Sequence, residues 1–313
     1  MSKVIEIKDL SKSFGEVKAV QGISFSVEKG SLFAFLGVNG AGKSTTISMM
    51  CGQLLPDGGE ITIDGLKISE NADEISRLIG VVFQGSVLDK PLSVRENLKC
   101  RGALYGITGA DYEQRERELC ELLSLDEILK RPYGKLSGGQ RRKADIARAL
   151  IHKPKILILD EPTTGLDPQT RKKVWEVIGE LRRNEGLTVF LTTHYMEEAA
   201  DADRVVIIDS GLIVAEGTPV ELKNKYTCDF ITLYEADEEQ VRGLELPYEK
   251  IGEAYRLKVE TTAEATKLII ANPNIFVDYE IVKGKMDDVF LSVTGKKLGA
   301  DEENVDKKGG RRK

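Results

Sequence analysis

The 313-residue sequence is poor in the side chains that most often build metal and disulfide sites. It has four cysteines, Cys51, Cys100, Cys120 and Cys228, and two histidines, His152 and His194. The cysteines are widely spaced and none forms a C-x-x-C pair, which argues against a disulfide framework or a zinc site. They read as small buried apolar residues in a reducing compartment, which points to the cytoplasm. Long apolar runs are missing as well. Ser31–Gly37, Ile156–Leu159 and Val205–Ile208 fall far short of the roughly 20 residues that cross a bilayer, and Met1–Leu10 alternates polar and apolar residues without a signal-peptide core. Basic charge is in deficit, with 45 Lys and Arg against 51 Asp and Glu and a net of −6. General nucleic-acid binding needs a basic surface and is therefore disfavoured.

What is present suits a globular chain, with 41% apolar and 31% charged residues. The length fits two domains. Strand-like runs at Val4–Ile7, Ala19–Val27, Ser31–Leu36, Ile79–Phe83, Ile156–Leu159, Val189–Thr192 and Val205–Asp209 alternate with helical patterns at Ser44–Leu54, Leu92–Pro132, Ala144–His152, Thr170–Asn184 and Met196–Ala202. Asp57–Ile68 carries turn signals and two short strand patterns. Strands alternating with helices predict an α/β fold with a mainly parallel sheet. Composition shifts near Thr218–Tyr226. Beyond it, strand-like runs at Phe230–Tyr234, Tyr255–Val259 and Phe276–Ile281 and helical patterns at Ala263–Ala271 and Asp287–Val293 predict a small α+β domain over 226–298. Residues 226–295 carry 7 basic and 14 acidic side chains, a net of −7. Residues 299–313, ending KKGGRRK, read as a disordered tail.

Three motifs carry chemistry. Gly37, Val38, Asn39, Gly40, Ala41, Gly42, Lys43 and Ser44 fit G-x-x-x-x-G-K-[ST], directly after a buried strand and before a helix. The glycines let successive N–H groups face one concavity, and the helix N-terminus adds its dipole, so the loop suits phosphate. Lys43 supplies a point charge for the β and γ phosphates, and the Ser44 hydroxyl can ligate Mg²⁺. Ile156–Leu159 runs into Asp160 and Glu161. Asp160 suits Mg²⁺ at the strand tip, and Glu161 can polarise an attacking water. Leu136, Ser137, Gly138, Gly139 and Gln140 precede a helix opened by Arg141, Arg142 and Lys143 and form a second candidate anion site. One nucleotide needs only one phosphate loop, so the second site suggests a γ-phosphate clamped from another subunit.

These motifs, in this order, resemble the ATP-binding cassette (ABC) proteins over about residues 3–225. LSGGQ at 136–140 resembles the family signature. Gln84 follows strand Ile79–Phe83 as the Q-loop glutamine does, Gly165-Leu166-Asp167 resembles the D-loop, and His194 resembles the switch histidine. Phe14 sits where an aromatic stacks on adenine. Phe14 replaces the commoner Tyr, Val38 a common Pro, and Thr164 the usual Ser. The resemblance implies a P-loop NTPase cassette with antiparallel β and helical subdomains over 1–225, its helical part at about 85–135. It also implies ATP and Mg²⁺ as ligands, with Thr45 joining Phe14 and the 37–44 loop at the nucleotide, and Ser44, Gln84 and Asp160 at the metal. Glu161, His194 and Gln84 are implied as catalytic residues, with Asp167 in the D-loop and Leu136–Gln140 acting in trans. The implied partners are a second nucleotide-binding subunit, homodimeric or heterodimeric, and a separate transmembrane permease docked on 85–135. Nucleic acid is not an expected partner. The chain would then sit peripherally on the inner face of the cell membrane. The 226–298 segment, chiefly through Met286–Gly295, resembles the small C-terminal domain of daunorubicin-resistance-type exporter ATPases, which implies export and a role in regulation or dimer support. Two rival functions are a cassette ATPase acting on nucleic acid or ribosomes and a non-hydrolytic regulator. One phosphate loop with no repeat or heptad run weighs against the first, and Glu161 with His194 against the second.

Overall fold

The computed structural model describes residues 2–295. The tail expected at 299–313, and the last residues of the domain expected at 226–298, lie outside the described residues. The chain begins with two long antiparallel strands, β1 (Lys3–Phe14) and β2 (Val17–Glu28), and then β3 (Leu32–Leu36) and α1 (Lys43–Met50). Next come β4 (Gly58–Ile63), β5 (Leu66–Lys67), α2 (Ile68–Leu78), β6 (Ile79–Val82), α3 (Val94–Leu104), α4 (Gly109–Leu123) and α5 (Gly138–Leu150). The remaining elements up to Tyr226 are β7 (Ile156–Asp160), α6 (Pro168–Glu185), β8 (Thr188–Thr193), α7 (Met196–Ala200), β9 (Arg204–Asp209), β10 (Leu212–Gly217) and α8 (Pro219–Tyr226).

A six-stranded sheet in the order β10-β9-β3-β8-β7-β6 forms the centre. The pairs β3–β8, β3–β9, β7–β8 and β6–β7 are parallel. Leu32-Phe-Ala-Phe-Leu36 and Ile156-Leu-Ile-Leu-Asp160 are buried at every position, as unbroken apolar runs must be in a sheet covered on both faces. A second, antiparallel sheet runs β2-β1-β4-β5. Phe25 of β2 lies 5.2–6.1 Å from the rings of Phe33, Phe35 and Phe190, which joins the two sheets in one aromatic cluster.

Two local expectations are corrected, and one element is new. Asp57–Ile68 holds the two expected strands, β4 and β5, and an unexpected helix, α2, follows at once, with Ile68 and Ile75 buried on one side, seven residues apart. The helix expected at Ala144–His152 starts six residues earlier, where Ser137 and Gln140 close a capping box. Cys120 is buried and Cys51 and Cys228 are half-buried, but Cys100 is exposed, since α3 buries Val94, Asn97, Leu98 and Gly102 on another face. Burial pushes the Cys51 thiol up to about 12 and the Cys120 thiol to about 11.

The chain divides into two compact units. The first holds residues up to Tyr195 together with Ala202–Ile213, and the second holds Met196–Asp201 and the chain from Val214 on. In the second unit, α7 and α8 both pack on α11 (Met286–Thr294). Its sheet comprises β11 (Asp229–Leu233), β12 (Tyr248–Ile251), β13 (Ala254–Val259) and β14 (Tyr279–Val282), in the order β12-β13-β11-β14. Two helices complete it, α9 (Glu238–Arg242) and α10 (Thr262–Ala271). Ile231, Leu233, Leu257, Val259 and Phe276 form its own core. Phe276, expected to begin a strand, instead packs in the turn before β14, with its N–H donating to Asn272 O at 3.3 Å. Among the described residues no helix is long and apolar enough to cross a membrane.

Candidate nucleotide site

The loop between β3 and α1 is shaped by Gly42. Its φ is +96°, and a Cβ there would lie 2.1 Å from the carbonyl oxygen of Ala19, so neither conformation nor space admits another residue. Gly42 is also the N-cap of α1, and no side chain caps the helix. The N–H groups of its first turn, at Lys43, Ser44 and Thr45, are thus offered to a ligand together with the positive end of the helix dipole. Lys43 is only 6% exposed. Its ammonium donates to Gly37 O at 2.9 Å and lies 3.4 Å from Glu161 Oε1.

The opposite wall comes from the ends of β7 and β8. In their parallel register Asp160 pairs with Thr192. The Thr192 hydroxyl donates to Asp160 Oδ1 at 2.6 Å and accepts the Glu161 N–H at 3.3 Å. One threonine therefore fixes both carboxyl-bearing residues. Glu161 has φ +47°, a left-handed conformation that costs a non-glycine residue of order 1 kcal/mol. The turn directs its carboxylate to Lys43 rather than along the strand. Glu161 Oε2 accepts from Gln84 Nε2 at 3.2 Å and from Thr164 Oγ1 at 3.4 Å, and lies 3.4 Å from His194 Nδ1. The imidazole of His194 and the ammonium of Lys43 together hold the Glu161 carboxyl below its ordinary value, although burial opposes them. His194 itself is braced by Tyr195, ring to ring at 4.2 Å, and Arg171 lies 4.1 Å over the Tyr195 ring.

A cleft of about 710 Å³ opens above this floor. Its lining includes Phe14, Asn39, Gly40, Gly42, Lys43, Ser44, Thr45, Gln84 and Glu161. Phe14 stands at the rim, 52% exposed, with Lys12 5.9 Å from its ring centre. Such an exposed aromatic offers one face to a flat base. The glycine loop, Lys43, Gln84, Glu161 and Phe14 are thus brought around one volume, while Asp160 and His194 do not line it and connect to it through Thr192 and Glu161. None of Leu136–Gln140 lines it. Those residues cap α5: the Gln140 N–H donates to Ser137 Oγ at 3.3 Å and the Ser137 N–H to Gln140 Oε1 at 3.1 Å. A Cβ on Gly139 would lie 2.7 Å from Thr170 Cγ2, so the signature turn rests directly on the start of α6. Asp167 caps that helix, accepting from Thr170 N at 2.9 Å and Thr170 Oγ1 at 2.6 Å. These two donors hold its carboxyl below the usual range.

Two residues at the site lay beyond sequence reasoning. Thr192 gave no signal beyond its place on a strand. Arg142, expected to help open an anion-binding helix end, is buried instead. Its guanidinium donates to the carbonyls of Phe83 at 2.7 Å, Glu161 at 2.8 Å, Asp160 at 3.3 Å and Pro162. Arg142 lies four residues past the start of α5, and its carbonyl partners at Phe83 and Asp160 are distant in sequence, so no local pattern signalled that it points inward.

An uncapped helix behind a glycine loop, a buried lysine and a strand-end carboxylate pair define a phosphate-loop nucleotide hydrolase. The family model for ABC transporters matches residues 20–164. The Nod factor export ATP-binding protein I of Ralstonia nicotianae is 36% identical over 305 residues, which cover 94% of this chain and 95% of that protein. A linearmycin resistance ATP-binding protein of Bacillus subtilis is 36% identical over 315 residues, with 94% and 99% covered. Among solved structures, a dimeric ATP-binding cassette in a post-hydrolysis state with ADP and Pi matches with TM-score 0.63 and 27% identity, covering 69% of this chain and 98% of that one. The chain belongs to the ABC transporter family, as an ATP-binding and ATP-hydrolysing subunit.

Proposed function

We propose that this chain powers an exporter, working as a dimer beneath a separate membrane permease at the inner face of the membrane. The observation that carries the dimer is the split of the anion sites. The cleft holds the loop, Lys43 and Glu161, while Ser137–Gln140 caps a helix whose first residues do not line that cleft. Each ATP would lie between the 37–45 loop of one subunit and Ser137–Gln140 of the other. ATP is then a ligand that favours the closed dimer, and cleavage of the γ-phosphate removes that preference. Export is supported by the names of the relatives, a Nod factor export protein and an antibiotic resistance protein.

Within the site, Phe14 stacks on the adenine and Lys43 neutralises the phosphates. Glu161, kept ionised by His194 and Lys43, orients the attacking water, and His194 contacts the γ-phosphate. Gln84 links that carboxylate to the helical part of the first unit. Asp167 sets the start of α6 beside the signature turn. The donors suit Mg²⁺. Among the described residues no three His, Cys, Asp or Glu side chains gather as a metal site, but one carboxylate, one hydroxyl and one amide oxygen suffice for an ion that keeps waters and shares substrate phosphates. Asp160, Ser44 and Gln84 would hold it, and it would neutralise charge on the phosphates.

The test is the Glu161→Gln variant. It should bind ATP and accumulate as a dimer by light scattering, while turnover falls by about 10²–10⁴-fold, the range of a general base. In the unaltered chain the rate per subunit should climb with protein concentration. Normal turnover in the variant would remove Glu161 from its role, and a concentration-independent rate would remove the composite site.

A further inference from the structure

Helix α5 does more than present Ser137–Gln140. One turn in, its buried side carries Arg142 and Asp145, three residues apart. Arg142 holds the backbone on both sides of Glu161 and the carbonyl of Phe83, the residue before Gln84. Asp145 holds the other end of the same segment, since its Oδ1 accepts from Ser86 Oγ at 2.6 Å. Asp145 Oδ2 accepts from Tyr133 OH at 3.1 Å, just before the signature turn. Asp145 is nearly fully buried, flanked along the helix by Arg142 and by Arg148, whose guanidinium reaches Val81 O. Residues 83–86 are thus pinned to α5 at both ends. Of the two residues between the pins, Gln84 and Gly85, Gln84 donates to Glu161 at 3.2 Å.

We infer that Arg142 and Asp145 are positioning residues that make α5 a rigid link between this chain's signature turn and its own Gln84–Glu161 pair. A helix transmits a push at its N-terminus along its axis, because its backbone hydrogen bonds run that way. In the dimer, the ATP gripped by Ser137–Gln140 belongs to the partner's loop. The link therefore makes occupancy of the partner's site set the geometry of Glu161 in this subunit's site, a coupling between two sites through one two-state element. The inference rests on the composite dimer proposed above.

Ser86 tests it with little risk to folding, since it is exposed and lies in a loop. In Ser86→Ala, Asp145 loses one of two hydroxyl donors. The maximal ATPase rate should drop about tenfold, within the 5–150-fold range of site couplings, and the Hill coefficient for ATP should fall towards 1. ATP affinity of the monomer, and ATP-driven dimerisation measured in the Glu161→Gln background, should stay as they were. Ser86→Thr, which keeps the hydroxyl, should restore both rate and Hill coefficient. Asp145→Asn, which keeps an acceptor oxygen, should be milder than Asp145→Ala. An unchanged rate and Hill coefficient in Ser86→Ala and Asp145→Ala would overturn the link, as would a loss of rate that Ser86→Thr shares. Failure of the dimer itself would appear separately, as absence of ATP-driven association in Glu161→Gln alone.

Discussion

Lys43 and Glu161 form the pair on which the cleft is organised, and their placement is unusual for charged side chains. Both are almost wholly buried and 3.4 Å apart. Burying either alone would be costly, and each lowers the cost for the other. The ammonium also donates to Gly37 O, which holds it at the mouth of the loop whose N–H groups receive phosphate. Charged hydrogen bonds of this kind contribute about 1.5–3 kcal/mol each. Lys43→Ala should therefore weaken ATP binding roughly ten- to a hundredfold or more, as read by titration calorimetry. An unaltered dissociation constant would contradict the phosphate role of the loop. The same substitution takes away the ammonium that, beside the His194 hydrogen bond, holds the Glu161 carboxyl below its ordinary value.

At the scale of elements, strand-to-helix junctions place the phosphate loop and Glu161 at the cleft, and the β1–β2 hairpin adds Phe14; the junctions were the legible part of the sequence. A buried apolar run followed by glycines, or by Asp-Glu, declares both an element and its end. Elements that bury little were hard to read. α2 buries only Ile68 and Ile75, and β12 is an edge strand with no fully buried residue, so neither has a full periodic stripe. The inward turn of Arg142 and the left-handed backbone at Glu161 depend on tertiary contacts, which no local pattern encodes. The far end of α5 shows the same limit. His152, one residue past its C-cap, has no chemistry at the cleft. It packs on Tyr105 with ring centres 4.0 Å apart and hydrogen-bonds Ile79 O at 3.1 Å through Nε2. Burial, reinforced by Arg101, Arg115 and Arg148, pushes its pKa from 6.5 down to about 4. The unfolded chain takes up a proton below 6.5 that the folded ring refuses until about 4. The stability this adds is full above 6.5 and is lost as pH falls towards 4. Urea midpoints of the unaltered chain should thus decline more steeply across that window than those of His152→Gln. Parallel declines would show that the ring is not held neutral.

At the scale of the whole chain, two units have separate cores, and ligand chemistry is confined to one of them. Every residue lining the nucleotide cleft belongs to the first unit. Leu257, fully buried on β13, belongs to the core of the second. A ligand stabilises only the state that binds it, by about 2.7 kcal/mol at a hundred times its dissociation constant. Core truncation of a leucine costs about 2–5 kcal/mol, because a cavity adds to the lost transfer energy. Leu257→Ala should therefore destabilise the second unit by that amount in calorimetry and leave the dissociation constant for ATP unchanged. A weakened ATP affinity in this variant would mean that the cleft depends on the second core. The acidic second unit would then be part of the nucleotide machinery, and truncations beyond Ile213 could not be interpreted as effects on partners alone.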